Sequence, residues 1–169
     1  MKKVLLALAI ASAAPLAFAN AYVGATYNRY TFDETDAIGD FGLNSLAING
    51  GYKFNDIIAA EARIGFGLGD DTRNQQTAKL RNYLGLYAKA GIPLGGFYPY
   101  ALLGFTRGDF RRSSNLAPNA STTETGFSYG VGVAYNFSDQ ISVNVEYASL
   151  LSKSDAKLRG FSIGAGYNF

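Results

Sequence analysis

The sequence contains no cysteine and no histidine, only 4 prolines, and, past its first twenty residues, no apolar run long enough to cross a membrane as a helix. Without cysteine no disulfide can staple the fold, so stability has to come from architecture. Without cysteine or histidine, and with no dense cluster of carboxylates, a transition-metal site has no obvious ligands. A spanning helix needs about 20 consecutive apolar residues, and none is available in the body of the chain. The few prolines and the lack of low-complexity stretches give no sign of a second domain. Charge is nearly balanced, 15 basic against 13 acidic side chains, and no basic run stands out, so nothing argues for nucleic acid as a partner.

The first residues read as an address. Met1, Lys2 and Lys3 precede an apolar run over 4–16, and Ala17-Phe18-Ala19 supplies a small-x-small cleavage site. We expect a signal peptide over 1–19 and one domain over 20–169. The alternative, a spanning helix, fails on length and on the small residues that follow Pro15. Removing Lys2 and Lys3 leaves the mature chain formally neutral.

What is abundant is glycine (20), tyrosine (12) and phenylalanine (12), none of which favours a helix interior. Two-residue alternation recurs in segments of about ten residues, the length of a tilted membrane strand. The clearest is 127–137, where Phe127, Tyr129, Val131, Val133, Tyr135 and Phe137 alternate with small or polar residues. The last segment, 161–169, repeats the pattern with Phe161, Ile163, Ala165, Tyr167 and Phe169. Segments 22–30, 43–54, 57–68, 79–92, 97–106 and 140–150 fit less cleanly, which predicts eight strands. Tight, turn-forming links at 55–56, 93–96 and 138–139 alternate with longer polar links at 31–42, 69–78, 108–125 and 151–156. Short turns on one rim and long loops on the other predict an all-β, eight-stranded antiparallel up-and-down transmembrane β-barrel, with periplasmic termini and extracellular loops.

A soluble eight-stranded barrel alternates too, so the period alone leaves the direction of the wall open. Lys53, Glu61, Arg63, Arg81, Lys89 and Glu146 all stand opposite apolar residues in mid-strand. An eight-stranded bore is only just wide enough to be filled by side chains. The glycine-rich face therefore suits the interior, which turns these six charges into the lumen, where buried charge has to be paired or wet. The expectation is a salt-bridged plug. Tyr22, Tyr27, Tyr52, Phe54, Tyr135, Phe137, Tyr167 and Phe169 fall near strand ends and read as an interfacial girdle. Arg29, Lys157 and Arg159, with Arg107 on the fifth segment, take the outward parity near the long-loop rim, where they would meet the phosphates of lipopolysaccharide. The loop acids Asp33, Glu34, Asp36 and Asp40 could gather a divalent cation, but solvated loop charge is the simpler reading.

By Phe127-Ser128-Tyr129-Gly130-Val131-Gly132, by Tyr100-Ala101-Leu102-Leu103-Gly104-Phe105 and by the ending Gly164-Ala165-Gly166-Tyr167-Asn168-Phe169, the chain resembles the OmpX/Ail group of small outer-membrane barrels and, more loosely, the transmembrane half of OmpA. The resemblance implies an integral outer-membrane protein. It also implies that the ending, with Phe161, Ile163, Ala165, Tyr167 and Phe169, is the signal read by the barrel-assembly machinery. Enzymes built on outer-membrane barrels use a histidine base, which this chain lacks, so a non-catalytic protein without cofactor is expected. A structural or surface-interaction role, as a monomer in contact with outer-membrane lipid, comes first; a narrow pore for ions or small solutes is the alternative, and a soluble ligand-binding barrel the third reading.

Overall fold

The computed structural model describes residues 20–34, 41–68, 71–73, 76–114, 117–153 and 156–169. The predicted signal peptide, the tips of the four longer links and the candidate cation ligands Asp36 and Asp40 lie outside the described residues, as do the side chains of Asp33 and Glu34.

Among the described residues nine strands form: β1 (Ala21–Glu34), β2 (Phe41–Lys53), β3 (Ile58–Leu68), β4 (Asp71–Arg73), β5 (Gln76–Gly91), β6 (Phe97–Ser114), β7 (Ala117–Asn136), β8 (Ile141–Lys153) and β9 (Ala156–Asn168). They make one antiparallel sheet in the order β3-β2-β1-β9-β8-β7-β6-β5-β4, closed by pairing of β3 with β5. The short β4 pairs only with the start of β5, Asp71↔Ala78 to Arg73↔Gln76, so it continues the stave that β3 begins. The result is a closed barrel of eight staves. Closure leaves no open edge, and each stave pairs its backbone with both neighbours except where the register shifts, between Leu80 and Asn82, Arg112 and Ser114, Phe127 and Tyr129, and Ser149 and Leu151.

The tight turns form for local reasons. Asn55 Oδ1 accepts hydrogen bonds from the Ile57 and Ile58 amides at 2.8 and 2.7 Å. Ser138 Oγ does the same for Gln140 and Ile141 at 3.3 and 3.0 Å. In the third turn Gly95 takes a left-handed φ of 63°, which a side chain would resist, and Leu94 and Phe97 bridge across it.

At the other end the strands run further than expected. β6 and β7 continue to Ser114 and from Ala117, where the sequence suggested a loop over 108–125, and β8 and β9 run to Lys153 and from Ala156. The reason is that alternation reports only a wall with one greasy face. Beyond the apolar band the sequence loses the two-residue period, and the ladder continues without it.

The wall has a consistent hand. On β3, Ile58, Ala60, Ala62, Ile64 and Phe66 are outside, while Ala59, Glu61, Arg63 and Gly65 are buried inside. Val131, Phe127, Leu86, Ile163, Phe161 and their neighbours are exposed on the outer surface of the other staves. The bore, however, is not a glycine channel. Tyr22, Tyr30, Tyr83, Tyr87 and Tyr100 lie inside it, with Leu43, Leu102, Leu150 and Leu158. Tyr22 is thus a correction: it belongs to the interior and not to the girdle. The inward glycines make room for these rings. A Cβ on Gly132 would meet the Tyr100 hydroxyl at 2.7 Å and its ring at 2.6 Å, one on Gly51 would enter the Tyr22 ring, and one on Gly65 the Tyr83 ring.

Candidate functional site

Strand parity puts four charged side chains into one buried group. β3 carries Glu61 and Arg63 two residues apart, hence on the same face, β8 brings Glu146, and β5 brings Lys89. Arg63 Nε donates to Glu61 Oε1 at 2.5 Å, and Nη1 and Nη2 donate to both oxygens of Glu146 at 2.6 and 2.8 Å. This fork-on-carboxylate geometry is the strongest pairing that an arginine makes. Tyr22 donates to Glu61 Oε2 at 2.5 Å and Tyr100 to Glu146 Oε2 at 3.0 Å, so each carboxylate accepts from a phenol as well as from the guanidinium. Lys89 Nζ lies 3.7 Å from Glu61 Oε2 and 3.8 Å from the centroid of the Tyr100 ring, and the Arg63 guanidinium stands 4.9 Å from that of Tyr87. Two cations thus face two carboxylates, with aromatic faces covering what remains.

The other two predicted lumen charges are placed differently. Lys53 sits at the tight-turn mouth, exposed, donating to Asn168 Oδ1 at 2.9 Å and to no carboxylate among the described residues. Arg81 is outside the barrel. On a regular β5 it would share the inward parity of Tyr83, Tyr87 and Lys89, but the β5–β6 register shifts between Leu80 and Asn82, and the irregularity turns its side chain outward.

Towards the long hairpins the bore changes character. Tyr87 Oη and Thr106 Oγ1 are 2.7 Å apart, Thr106 and Ser128 hydroxyls 2.7 Å, and Ser128 donates to the Leu150 carbonyl at 2.5 Å. That carbonyl is available because the register of β8 slips on both sides of it, between Ser149 and Leu151 against β9 and between Phe127 and Tyr129 on β7. Beyond this chain lie Tyr30, Leu43, Leu150 and Leu158, which belong to one buried apolar cluster with Tyr83, Tyr87 and, at the level of Lys89, Leu102.

The sequence held a signal for the interior tyrosines that the expected girdle obscured. Tyr83 and Tyr87 share the parity of Lys89, and Tyr100 that of Thr106, so the polar side of each strand already included them.

The outer surface carries the remaining candidates. Ile163, Tyr167 and Phe161 face outward on β9 with Ala165, and Phe169 follows at the rim. Three strands reach that rim with the same pattern, Tyr52-Lys53-Phe54, Tyr135-Asn136-Phe137 and Tyr167-Asn168-Phe169, and each pair of rings meets edge to face at 5.5, 5.0 and 5.3 Å. At the opposite level Arg29 and Arg107 are exposed and outward, and Arg159 is half-buried on the outward parity of β9. The side chain of Lys157 lies outside the described ones.

Comparison with known proteins follows the architecture. Residues 4–169 match the family model described as outer membrane protein beta-barrel domain. No curated protein matches the chain. Among solved structures, Ail, the attachment invasion locus protein of Yersinia pestis, superposes with a TM-score of 0.69 at 21% identity over 89% of this chain and 98% of Ail. Ail in complex with the heparin analogue sucrose octasulfate gives 0.67 at 20% identity over the same shares. Neisserial surface protein A gives 0.67 at 17% identity, covering 88% of this chain and 97% of the neisserial one.

Proposed function

The chain belongs to the outer-membrane β-barrel domain family, and from that premise we propose that it is a monomeric, non-catalytic, non-conducting barrel whose outer wall and long hairpins, rather than its bore, carry its function. In this reading the tight turns and both termini face the periplasm and the long hairpins face the outside, the usual arrangement of bacterial barrels.

One observation carries the proposal. The bore is filled by the Glu61–Arg63–Glu146 ion group with Lys89 and Leu102, and further along by Tyr30, Leu43, Leu150 and Leu158. An ion crossing it would have to displace a bidentate buried pair and then pass through hydrocarbon. Single-channel recording of the purified protein in planar bilayers tests this: no steady conductance above the bare membrane is expected. A reproducible unitary current in wild-type protein would overturn it in favour of the narrow pore.

The outward arginines suggest what the wall touches. Arg29, Arg107 and Arg159, with Lys157 by its position on β9, stand just past the last outward aromatic residues, where the phosphates of lipopolysaccharide lie. A guanidinium binds phosphate by charge-assisted, often paired hydrogen bonds. A polyanion is also what Ail holds in its complex with sucrose octasulfate, and lipopolysaccharide is a multivalent anion of the same general kind. During biogenesis Phe161, Ile163, Ala165, Tyr167 and Phe169 would present the terminal pattern to the barrel-assembly machinery.

A further inference from the structure

The irregularity that expels Arg81 from the bore creates a feature of its own. Arg81 on β5 and Arg107 on β6 are both exposed on the outer surface, one step past the outward Leu84, Phe105 and Phe127. Leu84 pairs with Arg107 and Asn82 with Asp109, which places the two arginines on neighbouring staves at nearly the same level. Between them stands Asp109, whose two oxygens are already engaged: Asn82 Nδ2 donates to Oδ2 at 3.0 Å and Thr123 Oγ1 to Oδ1 at 2.7 Å. Asp109 feels the charge of both arginines, yet neither makes an ion pair with a carboxylate within 4 Å among the described residues. The patch therefore presents two guanidinium groups against one carboxylate that is occupied by neutral donors, directly above an edge-to-face Phe105–Phe127 pair at 5.7 Å. Such a surface offers ring faces to an acyl chain and fork-shaped donors to an oxyanion at the chain's head.

The position round the barrel matters as much as the chemistry. Around the closed sheet β2 and β3 separate β1 from β5, and β7 and β8 separate β6 from β9. The Arg81/Arg107 patch is thus on the opposite side of the barrel from Arg29 and Arg159. No single lipid can serve both.

We propose that Arg81 and Arg107 form a second, independent site for the phosphate of an outer-leaflet glycolipid, so that one barrel holds two such lipids on opposite faces. The proposal rests on the lipopolysaccharide reading above and adds a residue, a location and a stoichiometry to it.

Native mass spectrometry of the full barrel in detergent, titrated with bisphosphorylated lipid A, counts the bound lipids. Wild-type protein is expected to take two, R81A/R107A one, R29A/R159A one and the fourfold variant none, while lipid A stripped of both phosphates leaves all of them empty. R81K/R107K, which keeps the charge but loses the fork, should bind the second lipid more weakly than wild type and more strongly than the alanine variant. All four positions are on the outer surface, and heat-modifiable migration on gels verifies that each variant is folded. Two lipids retained by R81A/R107A, or retention of dephosphorylated lipid A equal to that of the intact form, would overturn the second site. Loss confined to R81A/R107A would uphold it and discard the Arg29/Arg159 site, and a wild-type barrel that binds no lipid A would overturn both.

Discussion

Arg63 is the side chain on which the interior depends, because among the described residues it alone is bonded to both carboxylates of the buried group. Ion pairs out of water gain their stability only when every charge is matched, and removing one partner leaves the others uncompensated, at a cost of about 3–5 kcal/mol. Arg63→Leu strands Glu61 and Glu146 with Lys89 as the sole cation, so a loss of that size is expected in equilibrium urea unfolding from micelles. The combined variant E61Q/R63M/E146Q removes the charges together and should recover most of it. Equal losses in the single and combined variants would mean that packing, not charge pairing, holds this layer. Much of this group was legible in the sequence, since Glu61, Arg63, Lys89 and Glu146 each oppose apolar neighbours in mid-strand. Arg81 was not, because parity counting assumes an unbroken ladder, and the irregularity between Leu80 and Asn82 takes Arg81 out of the parity of Tyr83 and Tyr87. Lys53 shows the other limit of the same reasoning: parity gives a face but not a depth, and a residue at the last rung of β2 reaches the mouth rather than the bore.

At the scale of strands, the barrel is assembled from complementary pairs of large and absent side chains. Gly65 on β3 leaves room for the ring of Tyr83, its direct partner on β5, and Gly51 on β2 receives Tyr22 of β1. Gly65→Val would force a ring against a methyl group in a filled space, and overpacking of this kind costs about 1–3 kcal/mol. Combining it with Tyr83→Ala should restore part of the loss, a non-additivity that a double-mutant cycle in the same unfolding assay reads directly. Additive losses would show that ring and glycine do not compete for one volume. The sequence displayed the glycines and the tyrosines but not their matching, because which ring lies over which glycine depends on the register between neighbouring strands. The end of β9 poses a question of the same scale. Its Tyr167-Asn168-Phe169 pattern recurs at the ends of β2 and β7, with the same ring geometry. If the terminal copy is the assembly signal, deleting Phe169 should lower the amount of folded barrel in outer-membrane fractions several-fold, whereas Phe137→Ala, with the same loss of an edge-to-face pair, should not. Equal yields for the two would assign the motif to interfacial anchoring alone.

For the whole molecule the decisive property is which side of the wall meets hydrocarbon, and the register fixes it independently of any family likeness. Val131 is 61% exposed on β7, in a continuous outer band with Leu103, Phe105, Val145 and Ile163, while Glu146, directly beside this band in sequence, is 1% exposed within the bore. A water-soluble barrel with that surface would present apolar side chains on all eight staves to solvent, far beyond the few hundred Å² that a monomer normally tolerates. In a bilayer the same band is the stable arrangement, and it carries a depth-dependent expectation. Val131→Arg, near the middle of the band, should cost about 2–4 kcal/mol in reversible folding into lipid vesicles, whereas Thr125→Arg, outward on the same strand but past the aromatic level, should cost about 0–1 kcal/mol. Both substitutions add the same side chain to the same face of one strand, so intrinsic strand propensity cancels and the difference reports the surrounding medium. If the two variants fold with equal stability, the outer band does not face lipid, and the plugged bore, the lipid-facing arginines and the membrane orientation all lose their common basis.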